Sequence, residues 1–105
     1  MKQEKWVSLL GLANRAGKII SGEELAVKEI RTGRAKLVLL SKDASENTIK
    51  KIKDKCLYYQ VPVKEVSNRY LLGQSIGKKE RVVVAVLDEG FAKKLHFLLD
   101  ETIRG

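Results

Sequence analysis

The sequence of 105 residues contains two short stretches in which every position is apolar, residues 37–40 and 82–86. A strand covered by helices on both faces has this pattern, whereas a strand with one face in water alternates apolar and polar positions. We therefore predict two central strands, the first within residues 35–40. A further strand is predicted over residues 61–66 and a short one over residues 18–20.

Apolar positions spaced three and four apart predict helices between these strands. The first helix is expected over residues 3–15. The second is expected to begin at Ser21, because Ser21 and Glu24 have the spacing of a capping box, in which the hydroxyl and the carboxylate accept hydrogen bonds from backbone amides. Its end is predicted at residues 32–33, a Thr-Gly pair. The buried stripe of this helix is predicted to comprise Ala26, Val27 and Ile30.

Three more helices are predicted from residues that favour the N-cap position, namely Ser45, Ser67 and Asp88. The Ser67 helix is expected to be short and to stop at Gly73. Strands and helices then alternate, which favours an α/β sandwich, and the length fits a single domain over residues 1–105. The inward-facing residues are predicted to be Ile49, Ile52, Cys56 and Leu57 on the Ser45 helix, and Phe91, Leu95, Leu98 and Leu99 on the Asp88 helix.

The charge of the chain favours a polyanionic partner. Lys and Arg total 21 against 13 Asp and Glu, a formal net charge of +8. In a short chain such an excess is typical of nucleic-acid-binding proteins. The alternative is that lysines only solubilise helix faces, so the positions of the basic residues have to decide between the two interpretations.

Several classes of protein are disfavoured by composition. The apolar runs are far shorter than the ~20 residues that a membrane span requires, so no membrane association is expected. Cys56 is the single cysteine, which excludes an internal disulfide, agrees with a reducing cytoplasm, and is predicted to be a structural thiol. His96 is the single histidine and has no obvious acidic partner. We therefore expect no metal, no cofactor and no catalytic set.

Residues 11–18, Gly-Leu-Ala-Asn-Arg-Ala-Gly-Lys, resemble a phosphate-binding P-loop at first sight. The motif fails because five residues rather than four separate the glycines, Ile19 stands where a Ser or Thr would hold magnesium, and a predicted helix precedes it instead of a strand. Nucleotide hydrolysis is therefore not expected.

The aromatic residues do not form an evident stacking platform for bases. Trp6 is expected in the core, and Tyr58 and Tyr59 are expected to place one ring inward and leave the other half exposed. Tyr70 is the aromatic residue nearest to a candidate binding loop.

Four phrases, in the same order along the chain, carry a resemblance to a known family. They lie at residues 22–28, 33–38, 61–63 and 72–77. With the order of the predicted elements, they resemble the ribosomal protein L7Ae family, which binds kink-turn RNA. The lead-in over residues 10–18 is similar to the short bacterial, ribosome-associated branch of that family.

The resemblance implies a three-layer α-β-α sandwich with a mixed four-stranded sheet. It also implies a non-enzymatic, cytoplasmic protein that binds structured RNA, with ribosomal RNA as the expected partner. Ribosome-associated proteins are possible further partners under this resemblance, and the chain is expected to be a monomer without a cofactor.

The resemblance also assigns the contact residues. In the family, the start of the second helix enters the distorted major groove at tandem sheared G·A pairs, and a later loop covers a flipped-out nucleotide. The helix surface then corresponds to Gly22, Glu23, Glu24, Leu25 and Lys28, and the loop surface to Val66, Ser67, Asn68 and Arg69. The candidates for phosphate contact around these joints are Lys18, Arg34, Lys36 and Lys42.

Glu24 and Leu25 depart from the Asn-Glu pair that the family usually has at these positions. A leucine side chain cannot accept a hydrogen bond from a guanine. Two alternatives to a kink-turn reader follow. One is a protein-interaction adaptor of the ribosome that kept the fold and lost the RNA specificity, which an exposed Leu25 beside Val66 would support. The other is a small enzyme acting on RNA, for which the sequence offers no catalytic set.

Overall fold

The computed structural model describes residues 4–104, and the side chains of residues 4–100. The described helices are α1 (Lys5–Arg15), α2 (Glu23–Arg31), α3 (Glu46–Tyr59), α4 (Arg69–Ser75) and α5 (Glu89–Arg104). The strands are β1 (Ile19–Ser21), β2 (Leu37–Ser41), β3 (Val63–Val66) and β4 (Val83–Val86). The predicted start of the first helix at residue 3 lies outside the described residues.

The four strands form one mixed sheet in the order β1-β4-β2-β3. Strand β4 lies antiparallel to both of its neighbours, and its residue Val86 is paired with Ile19 of β1 and with Leu37 of β2. Strands β2 and β3 are parallel, with Ser41 opposite Val66. The expectation of a mixed four-stranded sheet is confirmed.

Strands β2 and β4 are buried on both faces, as the two uninterrupted apolar runs predicted. Alternate residues of β2 serve two separate cores, since Leu37 and Leu39 belong to one cluster and Val38 and Leu40 to the other. The first cluster contains residues of α1, α4 and α5, and the second contains residues of α2 and α3. Helices therefore cover both faces, which gives the three-layer α-β-α sandwich.

The sheet register sorts the connections into two groups, which we name by the ends of the sheet. The upper end is where β2 finishes at Ser41, β3 finishes at Val66 and β4 begins at Val83. The lower end is where β2 begins at Leu37 and β4 finishes at Val86. Because an extended chain rises ~3.3 Å per residue, the two ends of β2 lie more than ~13 Å apart.

The predicted capping box at the start of α2 is wrong. Ser21 is the last residue of β1 and pairs with Val84, so its backbone is committed to the sheet instead of to the helix start. Gly22 takes the N-cap position, and no side chain caps this helix. The buried stripe of α2 is confirmed, because Ala26, Val27 and Ile30 all lie in the core.

The other predicted caps are partly confirmed. The Ser45 hydroxyl accepts a hydrogen bond from the Thr48 amide at 3.2 Å, and the Asp88 carboxylate accepts one from the Phe91 amide at 2.9 Å. For α4 the prediction was off by one residue, because Asn68 is the cap and its side chain accepts from the Leu71 amide at 2.8 Å. This helix also continues past Gly73 to Ser75.

The carboxyl-terminal end of α3 is more exposed than predicted. Ile52 and Cys56 are buried, whereas Leu57 is 80 % exposed and Tyr58 is 79 % exposed. The buried pair is spaced by four residues, and the next two positions are ~100° and ~200° further around the helix, so they point away from the sheet. Tyr59 is also exposed, so neither tyrosine ring turns inward.

Two further core predictions can be compared with the structure. Trp6 is buried as expected, and its indole Nε1 donates a hydrogen bond to Glu4 Oε1 at 2.9 Å. Burial raises the pKa of the Cys56 thiol to about 11, so the group stays protonated and unreactive near neutral pH. This agrees with a structural role for the cysteine.

Gly73 is the place where α4 meets the chain that returns from it to β4. A Cβ atom on Gly73 would lie 2.5 Å from the Cα of Glu80. Backbone atoms cannot withdraw as a flexible side chain can. Only glycine therefore allows residues 76–82 to cross α4 so closely.

We predict that Gly73→Ala destabilises the protein by ~1–3 kcal/mol, the usual cost of overpacking a close contact. The measurement is the urea midpoint of unfolding, with Gln74→Ala as the matched control because Gln74 is the exposed neighbour on the same helix. An equal or smaller loss in Gly73→Ala than in Gln74→Ala would contradict the proposed packing.

Candidate nucleic-acid interface

Helix α2 begins at the upper end on a glycine that no other residue replaces easily. Gly22 has φ +109°, a conformation that side chains with a Cβ rarely adopt. Its amide donates to the Val83 carbonyl at 3.0 Å, and its carbonyl accepts from the Ala26 amide at 2.9 Å. Gly22 thus closes β1 and opens α2 in one residue.

The start of α2 differs from the other helix starts at the upper end. Helices α3 and α4 are capped by the side chains of Ser45 and Asn68. Helix α2 has no side-chain cap, so its first-turn amides have no side-chain acceptor. Such amides, with the positive end of the helix dipole, attract an anionic group such as phosphate.

Glu23, in the first turn of α2, is bound to α3. Its carboxylate accepts a hydrogen bond from the Thr48 hydroxyl at 2.8 Å and one from the Lys51 ammonium at 3.1 Å. The hydrogen bond from Thr48, followed by that from Lys51, lowers the pKa of Glu23 despite the opposing effect of its partial burial. Glu23 therefore fixes α2 against α3, and its carboxylate is already occupied by hydrogen bonds within the protein.

The remaining residues of the predicted helix surface face solvent. Leu25 is 51 % exposed, and Glu24 and Lys28 are exposed as well. Lys28 lies one to two turns from the helix start, within reach of an anion that also contacts the first-turn amides. This surface offers an acid, an apolar group and a cation in sequence.

Arg69 joins three connections of the upper end. Its amide donates to the Asp43 carboxylate at 3.0 Å, and its guanidinium Nη2 donates to the Asp43 carbonyl oxygen at 2.5 Å. The same guanidinium lies 3.5 Å from the Glu80 carboxylate. Arg69 also accepts a hydrogen bond on its carbonyl from the Arg81 amide at 3.0 Å. The arginine thus organises the loops around it.

Asp43 is the acid at the centre of this arrangement. Partial burial would raise the pKa of its carboxyl, but the nearby Ser41 hydroxyl and the amide and guanidinium of Arg69 outweigh that effect, and the pKa lies below its ordinary value. A charged Asp43 in turn neutralises part of the Arg69 charge. Arg69, which was predicted to contact RNA, therefore also has a structural role within the protein.

The other predicted loop residues differ in accessibility. Val66 is buried, and its carbonyl already accepts a hydrogen bond from the Lys42 amide at 2.9 Å. Asn68 uses its side chain to cap α4, while Ser67 and the side chain of Lys42 are exposed. Within this group, Lys42 and Ser67 therefore have the side chains that are most accessible to a ligand.

The sequence prediction missed three basic residues in one connection, of which Arg81 is held at the upper end by its contacts with Ser21 and Arg69. Lys78, Lys79 and Arg81 lie in the connection from α4 to β4, and the Arg81 guanidinium Nε donates to the Ser21 hydroxyl at 3.3 Å. This contact places Arg81 beside the start of α2. Four consecutive charged residues directly before a buried strand, residues 78–81, are the signal that could have identified them.

The structure does not bring Lys18, Arg34 and Lys36 together with this surface. The Lys36 amide donates to the Val86 carbonyl, and the Leu87 amide donates to the Lys18 carbonyl, so both lysines lie at the lower end. The five residues of β2 lie between Lys36 and Lys42, and at ~3.3 Å per residue step the two lysines are roughly 20 Å apart. Of the four predicted phosphate contacts, Lys42 alone lies at the upper end.

Arg34 has a defined local role at the lower end. Its guanidinium binds both carboxylate oxygens of Glu29, with Nε at 2.8 Å from Oε1 and Nη2 at 2.9 Å from Oε2. The Glu29 carbonyl also accepts hydrogen bonds from the Arg34 and Ala35 amides. This pair fixes the turn that leads from α2 into β2.

The prediction that His96 has no acidic partner is wrong. Its Nδ1 lies 3.2 Å from Asp100, one helical turn further along α5, and Lys64 binds the same carboxylate. A spacing of four residues on a helix brings such side chains together. Among the described side chains, no group of three His, Cys, Asp or Glu could hold a metal ion.

The fold and the upper end together define a class of protein. It is a small α/β sandwich in which an uncapped helix start, entered through a glycine, lies among basic loop residues. None of the helices in the described part of the chain is long and apolar enough to span a membrane.

This chain belongs to the Ribosomal protein L7Ae/L30e/S12e/Gadd45 family, whose model matches residues 4–96. The resemblance seen in the sequence is thereby confirmed. The chain is 64 % identical over 100 residues to the RNA-binding protein YlxQ of Bacillus subtilis (strain 168), and the match covers 95 % of this chain and 100 % of that protein. It is 49 % identical over 98 residues to the RNA-binding protein YlxQ of Enterococcus faecium, covering 93 % and 94 % of the two chains.

Two solved structures share the fold. A protein of unknown function from Bacillus halodurans matches with a TM-score of 0.91 and 54 % identity over 93 % of this chain and 99 % of that one. The 15.5kD RNA binding protein of Giardia lamblia matches with a TM-score of 0.79 and 17 % identity, over 96 % and 90 % of the two chains. The second likeness concerns the fold alone.

We predict that Glu23 contributes to the acid sensitivity of the protein. The pKa of folded Glu23 lies below its ordinary value of 4.5, so its stabilising effect is complete above that pH and is lost as the pH falls through the folded-state value. Glu23→Gln should cost under ~1 kcal/mol at neutral pH, because the ion pair is largely exposed, and should flatten the decline in stability below about pH 4.5.

The test is the urea midpoint of unfolding measured from neutral pH into the acid range. Glu46→Gln is the matched control, since Glu46 is an exposed acid in the first turn of α3. If wild type, Glu23→Gln and Glu46→Gln declined with the same slope below pH 4.5, the assigned role of Glu23 would be contradicted.

Proposed function

We propose that this protein is a non-enzymatic RNA-binding protein that recognises a kink-turn or a similar internally looped RNA. The observation that supports this most is the uncapped, glycine-initiated start of α2. Its family membership and the names of its two YlxQ relatives support RNA as the partner. We further propose that it acts as a monomer in the cytoplasm and that the RNA is ribosomal.

In the proposed complex, the start of α2 enters the widened groove of the kinked RNA. The first-turn amides of α2 hold a phosphate, and Gly22 lets the backbone approach closely. Lys28 binds a phosphate or a guanine edge, while Lys42 and residues 78–81 surround the groove. Each neutralised phosphate adds ~0.7 to 0.9 to the slope of log affinity against log salt.

The acids of the upper end do not prevent this mode of binding. Glu23 and Asp43 are occupied by Lys51 and Arg69, and Glu80 also lies beside Arg69. Glu24 is the exposed acid on the helix surface, and its carboxylate can accept a hydrogen bond from a base amino group. Since Leu25 cannot do so, recognition of RNA shape carries more of the specificity than contacts with base edges.

The adaptor alternative is favoured by one observation and weakened by another. Leu25 is half exposed, as a protein-binding surface would require. Val66 is buried in the core, so the two residues do not present the exposed apolar pair that the alternative needs. An adaptor would bind RNA weakly whatever its shape.

The direct test is a binding titration against a kink-turn RNA and a control RNA in which the G·A pairs are disrupted at constant length. We expect wild type to prefer the kink-turn at least about tenfold, ~1.4 kcal/mol. Lys28→Ala should weaken kink-turn binding by a similar factor. Lys55→Ala, which removes the same charge near the far end of α3, should bind as wild type does.

Equal binding to the two RNAs, with the same loss in Lys28→Ala and Lys55→Ala, would contradict the proposal. It would leave a generic basic protein whose affinity is set by charge alone. Repeating the titration at two salt concentrations separates the cases further, since loss of a phosphate contact by Lys28→Ala lowers the salt slope.

Replacing Glu24-Leu25 with Asn-Glu tests how α2 docks. If α2 enters the groove as in the family, this double substitution restores the usual pair, and we expect kink-turn affinity to rise by about tenfold, ~1.4 kcal/mol. The measurement is the same titration with the G·A-disrupted RNA as control. Unchanged affinity, with the fold intact by circular dichroism, would indicate a different docking mode.

A further inference from the structure

The lower end carries an exposed aromatic residue between two grooves. Phe97, on α5, is 64 % exposed. One groove, of about 360 Å³, lies between α5 and the start of β2, and the other, of about 320 Å³, lies along α5 towards Leu9. Phe97 and Lys93 line both of them. Both volumes lie at the small end of the range of ~300–1,000 Å³ found for pockets that hold small organic ligands.

The lysine side chains near Phe97 do not form ion pairs with acidic residues of the described part of the chain. No ion pair in the described part of the chain involves Lys36, Lys93 or Lys94. Lys36 makes one weak hydrogen bond, from its ammonium to the Gly33 carbonyl at 3.3 Å. Lysines without an ion-pair partner beside an exposed ring favour a ligand that combines negative charge with a flat aromatic surface.

The acids of the groove bordered by β2 do not cancel this charge. Asp100 lies between Lys64 and His96, both of which contact its carboxylate. Glu89 also lines the groove and is exposed. The lysines that line the same groove are Lys36 and Lys93.

An exposed aromatic ring flanked by lysines is the usual arrangement for single-stranded nucleic acid. Bases stack on the ring, and cations hold the phosphates on either side. A duplex keeps its bases stacked on one another and cannot offer them to Phe97, so the ring favours an unpaired strand.

We propose that the lower end is a second RNA-binding surface that takes single-stranded RNA, with Phe97 stacking on a base and Lys36 and Lys93 holding phosphates. It is distinct from the proposed kink-turn surface, because Lys36 and Lys42 lie roughly 20 Å apart along the strand direction. That distance exceeds the screening length of ~8 Å at physiological salt, so the two surfaces bind independently. One protein molecule then holds a structured RNA and an unpaired strand at the same time.

The test uses a fluorescent oligouridine of about ten nucleotides, within the site size of single-strand-binding domains. Its affinity is measured by fluorescence anisotropy at low salt. We expect Lys36→Ala/Lys93→Ala to weaken binding at least about tenfold. Phe97→Ala, which changes no charge, should weaken it at least about fivefold, and Phe97→Tyr should restore it.

Two controls separate a built surface from general charge attraction. Lys50→Ala/Lys53→Ala removes the same charge from the exposed surface of α3, outside the groove that holds Tyr58, and should bind oligouridine within about twofold of wild type. Circular dichroism establishes that each variant is folded. Wild-type affinity in Phe97→Ala, or an equal loss in the α3 double variant, would overturn the proposal.

A second arm keeps this inference separate from the proposed kink-turn function. Oligouridine cannot form a kink-turn. The oligouridine titration therefore measures binding at the lower end even if the upper end binds no kink-turn RNA. With unlabelled kink-turn RNA present at saturation, oligouridine should bind with unchanged affinity. Competition between the two RNAs would overturn the independence of the surfaces. No binding of oligouridine at all would overturn the proposal and leave an acidic protein as the partner to seek.

Discussion

The placement of β4 between β1 and β2 is the constraint on which both ends of the protein depend. Strand β4 is buried on both faces, and the carbonyls at its ends set where the neighbouring elements start and stop. Val83 accepts from Gly22 and Val82 accepts from Ser41, while Val86 accepts from Lys36. The Gly22 amide donates its hydrogen bond to the Val83 carbonyl of β4. Strand β1 ends at the preceding residue, Ser21, and α2 begins at the following one, Glu23. The helix start is uncapped because the residue at this junction is a glycine, which has no side chain.

The acids of the upper end act mainly on the protein itself. Glu23 ties α2 to α3, and Asp43 and Glu80 hold the Arg69 guanidinium, which joins the connections around it. Their charges are compensated within the fold, while Lys28 and Lys42 remain directed at solvent. A chain with net charge +8 can therefore present a basic surface at the upper end even though it contains several carboxylates. The same separation of roles occurs beside α5, where Asp100 binds Lys64.

Much of the fold could be predicted because burial on both faces leaves uninterrupted apolar runs, and the helices between them keep their spacing. The predictions that were wrong concerned residues for which two secondary-structure elements compete. The Ser21 cap was wrong because Ser21 pairs with Val84 of β4, and no local pattern reveals an antiparallel partner so distant along the chain. Family resemblance supplied the predicted contact segments, but the separation of Lys36 from Lys42 became evident only from the strand direction. Exposure of Leu57 depended on how narrow a stripe of α3 the sheet covers.

The central claim is that the start of α2 lies against kinked RNA. It is tested most directly by following the backbone amide resonances of the folded protein while a kink-turn RNA is added. We expect the largest changes at residues 22–25 and in the connections of the upper end, with residues 33–36 of the lower end unaffected. Unperturbed amides at residues 22–25, in a protein that nonetheless binds the RNA, would contradict it.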